Sequence, residues 1–442
     1  MHTLEQLRSG ALAGITRLTL RCGLTEFPRE IYTLADSLEI LDLSGNALSA
    51  LPDDLPRLHK LRIIFCSDNQ FQELPGVLGA CPSLTMVGFK ANRIRRVPAA
   101  ALPAKLRWLV LTDNAIEELP AELGERPQLQ KLMLAGNRLR ALPASMAQLR
   151  QLELLRIASN QLSALPDWLL ALPRLTWLAY AGNPLCDALE DTLAHTPSAA
   201  ISWTSLTLRE KLGEGASGII YRADWQRDGN AAPAPAPAAV TTPAAMPVAV
   251  KLFRAAMTSD GSPLSEMAAC LGAGAHPNLI AILGHLEHHP ENAHGLVMEL
   301  ISPDFHNLAG PPSLDSCTRD IYAEDKHFDL PTALNIARAI ASAAAQLHSH
   351  GIMHGDLYGH NVLHDDHGHT LLGDFGAASF YDPAGPQADA LQTLEVRAFG
   401  NLLEELLDRS GQVPPRLRQL QAACQQGSPR FSDIKEQLDN PV

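Results

Sequence analysis

Aromatic residues make up only 5% of this 442-residue chain, and its seven cysteines (Cys22, Cys66, Cys81, Cys186, Cys270, Cys317 and Cys424) never form a C-x-x-C pair. Their odd number and wide scatter indicate neither a disulfide framework nor a zinc site. Reduced thiols in a cytoplasm are the expectation. Long apolar runs are missing too: none reaches the roughly 18 residues of a membrane span. The first ten residues have no basic flank and apolar core of the secretory type. Basic residues are in deficit, with 35 Lys+Arg against 48 Asp+Glu and a formal charge of −13, which speaks against general nucleic-acid binding. What is plentiful is apolar mass, 46% of residues, which excludes a wholly disordered chain. A single core is excluded by length, because cores stop growing near about 250–300 residues.

The charge is unevenly placed. Residues 1–200 carry 20 Lys+Arg and 20 Asp+Glu, whereas residues 201–442 carry 15 and 28. Two compositionally different halves therefore meet near residue 200.

The first half repeats. Asn46, Asn69, Asn92, Asn114, Asn137, Asn160 and Asn183 stand 22 or 23 residues apart. Each closes one pattern, as in Leu38-x-x-Leu41-x-Leu43-x-x-Asn46-x-Leu48-x-x-Leu51-Pro52. A fixed period of this size is the signature of a leucine-rich-repeat solenoid, in which stacked turns bury leucines that one turn cannot bury alone. Leu18–Pro28 reads as a degenerate first copy, giving about eight repeats over residues 1–186. The Leu-x-Leu alternation predicts parallel strands with leucines inward, and the Asn side chains are expected to satisfy turn backbone. Chemistry is expected of neither.

The outward column of these strands reads Ile40, Ile63, Met86, Trp108, Lys131, Leu154 and Trp177, with Phe65, Val110 and Met133 two places further on. A water-facing sheet surface should be polar. Ile40, Ile63, Phe65, Met86, Trp108, Val110, Met133, Leu154 and Trp177 are thus expected to form a docking face for a protein substrate or regulator, or for the chain's own second half.

The second half opens, after a cap and connector over 187–205, with Gly213-x-Gly215-x-x-Gly218 between two strand-like runs, an arrangement that covers phosphates from the top of a hairpin. A Pro/Ala-rich stretch at 226–247 reads as an insertion. Val248-Ala249-Val250-Lys251 follows, then Glu266 in a helical stretch, a buried strand through Met298, Glu299 and Ile301, and His354-Gly355-Asp356 with Asn361 five places later. Gly373-Asp374-Phe375-Gly376 completes the series. Phosphoryl transfer needs one carboxylate to orient the attacking hydroxyl and oxygen ligands to hold a metal. Both are present in the required order.

In these motifs residues 206–442 resemble the protein kinase family, and the whole chain looks like a leucine-rich-repeat protein kinase of bacterial type. The resemblance implies an α/β architecture: a leucine-rich-repeat solenoid, then a two-lobed α+β kinase-like domain over 206–442. It implies that Gly213, Gly215, Gly218, Ile220, Met298, Glu299 and Ile301 surround ATP. Lys251, held by Glu266, would bind its phosphates, Asp356 would orient the acceptor, and Asn361 and Asp374 would ligate Mg²⁺. A protein hydroxyl is the expected acceptor, of Ser/Thr rather than Tyr. A small-molecule phosphotransferase of the aminoglycoside or choline kinase type and an inert scaffold are the alternatives. Two departures stand out. Gly355 replaces the usual Arg that receives an activation-loop phosphate, and no Ala-Pro-Glu lies between Asp374 and Glu395. Activity independent of phosphorylation at Ser379, Tyr381 or Thr393 is therefore expected.

Overall fold

The computed structural model describes residues 1–215, 217–227, 245–254, 257–365 and 367–439. Eight short strands form one parallel sheet in chain order: β1 (Arg17–Thr19), β2 (Ile40–Asp42), β3 (Ile63–Phe65), β4 (Met86–Gly88), β5 (Trp108–Val110), β6 (Lys131–Met133), β7 (Leu154–Arg156) and β8 (Trp177–Ala179). The middle residue of each strand, from Leu18 to Leu178, is fully buried. This is the solenoid that the leucine period predicts. Each Asn ties one turn to the turn before: Asn137 accepts from Ile116 N–H at 3.0 Å and donates to the Leu111 carbonyl at 2.9 Å. Asn183 repeats the pattern on Leu162 and Ile157, 2.9 Å each. The asparagines satisfy backbone that the strand ladder leaves unpaired.

After the helix at Asp187–Ala194, a second sheet runs in the order β10 (Leu206–Glu214), β11 (Gly218–Trp225), β12 (Met246–Phe253), β14 (Gly295–Glu299), β13 (Ile282–Glu287) and β9 (Ala200–Ser202). β9 lies ahead of the expected domain start at 206. It pairs in parallel with β13, so the sheet takes in part of the expected connector and covers an edge that would otherwise be open. β11 and β12 pair antiparallel along their whole length. Most of the Pro/Ala-rich stretch between them falls outside the described residues. The helix Pro263–Gly272, with Ser262 as its cap, packs beside this sheet, and the helices Leu330–Ser349 and Ala388–Asp408 build the larger lobe.

The two halves share their cores. The repeat core takes in Met353, Tyr381, Leu391 and Leu394 of the second half. The core of the larger lobe takes in Met133, Leu154 and Trp177 of the first. Polar contacts follow the same seam: Tyr180 O–H donates to the Phe380 carbonyl at 3.1 Å, and Arg397 donates to the carbonyls of Leu172 and Leu175 at 3.1 Å. Burying a large apolar side chain is worth about 1.5–3 kcal/mol. Parting the halves would expose at least six, a cost on the order of 10 kcal/mol that matches the whole stability of a typical domain.

Of the two expected occupants of the apolar column, a separate protein or the chain's own second half, the structure places the second half on its Trp108–Trp177 end. Met133, Leu154 and Trp177 are buried under the second half, and Trp108 and Val110 pack half-buried against it. Ile63 and Met86 are also buried, while Ile40 and Phe65 at the far end are half-buried. From Trp108 to Trp177 the apolar column packs into the core of the chain's own larger lobe.

Candidate active site

β12 presents Lys251 to the cleft and the helix Pro263–Gly272 presents Glu266 to Lys251; the ammonium and carboxylate form a salt bridge with 14% and 2% of the side chains exposed. Burial opposes the Lys251 charge, but Glu266 outweighs it and holds its pKa above the ordinary value. Above the pair, Gly213, Gly215, Gly218 and Ile220 line a cleft of about 320 Å³ together with Lys251, Thr258, Asp260, Asp374 and Gly376. A Cβ at Gly213 or Gly215 would meet nothing within 4 Å, whereas at Gly218 it would run into the Leu252 backbone. Only the third glycine is needed by the fold; the first two leave backbone open toward the cleft. A smaller apolar cavity behind Lys251 is lined by Leu296, Met298 and Phe375. Glu299 is exposed and Ile301 half-buried where the strand runs out into the connector.

The His354–Asn361 loop is bonded to the segment that carries Asp374. His354 Nε2 bonds the Gly373 carbonyl at 2.8 Å, joining the loop to the segment that carries Asp374. Asn361 Nδ2 donates to the Asp356 carbonyl and to Asp356 Oδ2, 2.9 Å each. Its own carbonyl oxygen is thereby turned away from that carboxylate. Asp374 adopts φ +56°, and its Oδ1 accepts the Gly376 N–H at 3.1 Å. Among the described residues no group of three or more His, Cys, Asp or Glu could hold a metal alone. The Asp374 carboxylate and Asn361 carbonyl are hard oxygen donors that suit a divalent cation completed by phosphate oxygens. Glu395 is buried, accepting from Gly355 N–H at 2.9 Å and His348 Nε2 at 2.6 Å. It lies two turns into the helix Ala388–Asp408.

Two site residues escaped sequence reasoning. Arg156, 1% exposed, forms salt bridges with Asp356 and with Asp260, the latter at 2.6 Å. It also donates to the Gly355 carbonyl at 3.1 Å. A signal was available: Arg156 stands in the outward column that elsewhere holds Phe65, Val110 and Met133. Asp260, just ahead of the helix that carries Glu266, belongs to no motif.

A glycine-covered cleft with a buried Lys–Glu pair, an Asp–Asn loop and a second Asp defines a protein-kinase type of domain. Residues 206–394 match the family described as protein tyrosine and serine/threonine kinase, and residues 37–58, 104–162 and 127–185 match leucine-rich repeats. The chain thus joins leucine-rich repeats to a domain of the protein kinase family, which implies ATP and a divalent metal. It is 32% identical over 172 residues to CBL-interacting protein kinase 22 of Oryza sativa subsp. japonica, a span of 39% of this chain and 36% of that protein. It is 27% identical over 125 residues to a probable serine/threonine-protein kinase of Arabidopsis thaliana, 28% of this chain and 20% of the other. Against tyrosine-protein kinase Abl of Drosophila melanogaster the identity is 29% over 179 residues, 40% of this chain and 9% of Abl. The chain spans about a third or less of these relatives. No helix among the described residues is long and apolar enough to cross a membrane.

Proposed function

We propose that the protein is an ATP- and Mg²⁺-dependent protein kinase that phosphorylates a protein hydroxyl, of Ser or Thr in preference to Tyr. The observation that carries this reading is the Lys251–Glu266 ion pair at a cleft lined by the three glycines, Lys251 and Asp374, with Asn361 bonded both to Asp356 and to the Gly373 N–H next to Asp374. Gly213, Gly215 and Gly218 cover the nucleotide, with Ile220, Met298, Glu299 and Ile301 around its base. Lys251 binds the α- and β-phosphates and Glu266 fixes the ammonium in place. Asn361 and Asp374 would hold Mg²⁺, which would neutralise phosphate charge when bound. Asp356 orients the acceptor hydroxyl and takes its proton as the oxygen bonds to the γ-phosphorus and the β–γ bridge breaks, releasing ADP.

The acceptor protein or a regulator would approach the end of the repeat column that the larger lobe leaves partly open, around Ile40 and Phe65. The seven free cysteines support a reducing cytoplasm as the place of action. Incubation of the full chain with γ-labelled ATP, Mg²⁺ and a mixed protein substrate tests the assignment. Label on Ser or Thr that is lost in Lys251→Met is the expected result; no label on any protein, with ATP still bound, would overturn it.

A further inference from the structure

We infer that Arg156, contributed by the repeats, is a positioning residue of the kinase site, so that the catalytic apparatus is completed only by the chain's own solenoid. The inference rests on the kinase reading above and deepens it.

Three observations carry it. First, the Arg156 guanidinium divides its donors among three groups: Nη2 to Asp356, Nη1 to the Gly355 carbonyl at 3.1 Å and Nε to Asp260 at 2.6 Å. It thus ties the catalytic loop of the larger lobe to the turn just ahead of the helix that carries Glu266. One rigid, planar cation fixes the relative placement of the acceptor-orienting carboxylate and the Lys251–Glu266 pair. With Arg156 on Oδ1 and Asn361 on Oδ2, both oxygens of Asp356 are held in direction.

Second, the repeats occupy the space of the residue that the catalytic loop lacks. Gly355 has φ +72°, and a Cβ there would lie 2.8 Å from the Leu178 carbonyl of β8 and against the Ala377 carbonyl. No side chain fits at 355 while the solenoid is seated. A guanidinium does reach this loop, but from β7 and onto the Gly355 carbonyl and Asp356.

Third, the seam is packed as a core and not as a loose contact. Trp177 stacks on Tyr358 two places beyond Asp356, and its Nε1 donates to the Leu357 carbonyl at 3.2 Å. Tyr180 N–H donates to Ser379 Oγ at 2.8 Å. An autoinhibitory clamp has to lift away; a guanidinium set inside a core shared by both halves does not. The arrangement therefore favours a built-in part over a removable brake.

The test compares steady-state phosphorylation by full-length wild type, Arg156→Lys, Arg156→Gln and Arg156→Gln/Asp260→Asn. The double variant removes the carboxylate repulsion that could unfold Arg156→Gln. A positioning role predicts that kcat falls about 10²-fold in the Gln variants while KM for ATP changes less than about threefold, because the lost alignment acts in the transition state and not on nucleotide binding. Arg156→Lys, which keeps charge but not the fork, should recover part of kcat. Wild-type kcat in the folded double variant would overturn the inference, as would a rise in kcat, which would identify a brake. Should wild type itself bind ATP but transfer nothing, the kinase reading fails instead.

Discussion

Trp177 of the last repeat strand and Tyr358 of the catalytic loop stack face to face, ring centroids 4.2 Å apart and planes within 10°. The solenoid here is part of the larger lobe's core. Trp177→Ala should therefore lower stability by about 3–5 kcal/mol, the usual cost of truncating a buried aromatic. Trp108→Ala should cost clearly less, because Trp108 is only half-buried, with the Lys131 ammonium 4.2 Å over its ring. Denaturant midpoints at unchanged slope check both. A Trp177→Ala chain of wild-type stability would mean that the seam is open in solution.

Lys251→Met and Asp374→Ala should each abolish measurable phosphoryl transfer while leaving a cooperative unfolding transition. Each removes a group that faces the cleft and not a packing contact. Turnover assays paired with thermal unfolding distinguish this from misfolding; wild-type turnover in either variant would remove these residues from the site.

The repeat period and the ordered kinase motifs made both folds readable from the chain, and the structure brings Lys251 to Glu266 and Asn361 to Asp356. Those signals are local: a leucine period reports what each turn buries, and a motif reports spacing within one loop. The sequence left the occupant of the apolar column open between another protein and the chain's own second half. Residues 154–180 and 353–394 read alike whether they face water or each other, since the apolar column that suggests an open groove is the same one that suggests a buried interface. Arg156 was missed for a related reason. A single outward Arg on a strand is ordinarily a solvated charge, and its carboxylate partners lie 104 and 200 residues away.

Glu395 fastens the catalytic loop through Gly355 N–H and His348. Burial raises its pKa, but the hydrogen bond and charge of His348, with His354 and the Gly355 N–H, outweigh that and leave it below the ordinary carboxylate value. A depressed acid contributes stability above its unfolded pKa and loses it as pH falls through the folded one. The stability gap between wild type and Glu395→Gln should thus be full near neutral pH and shrink as the medium is acidified below about pH 4.5. Unfolding free energies across that range measure it; a gap that widens in acid would contradict the assignment of Glu395 as the ionised partner.

Activity without a loop phosphate follows from Gly355 and Ser379 together. With no side chain at 355, a phosphate on the segment after Asp374 has no arginine there to receive it. The hydroxyls that such a modification would use are already engaged. Ser379 is fully buried and accepts the Tyr180 N–H at 2.8 Å, Tyr381 donates to the His348 carbonyl at 3.2 Å, and Thr393 donates to the Asp389 carbonyl at 2.9 Å. A dianion at Ser379 would sit inside the seam between repeat and lobe, where desolvation without a partner is unfavourable. Phosphatase treatment should consequently leave kcat unchanged. Gly355→Arg, which restores the family's residue, should lower stability and turnover together by forcing β8 away from the loop. Silencing by phosphatase, or a Gly355→Arg chain that is stable and gains rate from a loop phosphate, would show that the solenoid yields its place and that the segment after Asp374 is a switch.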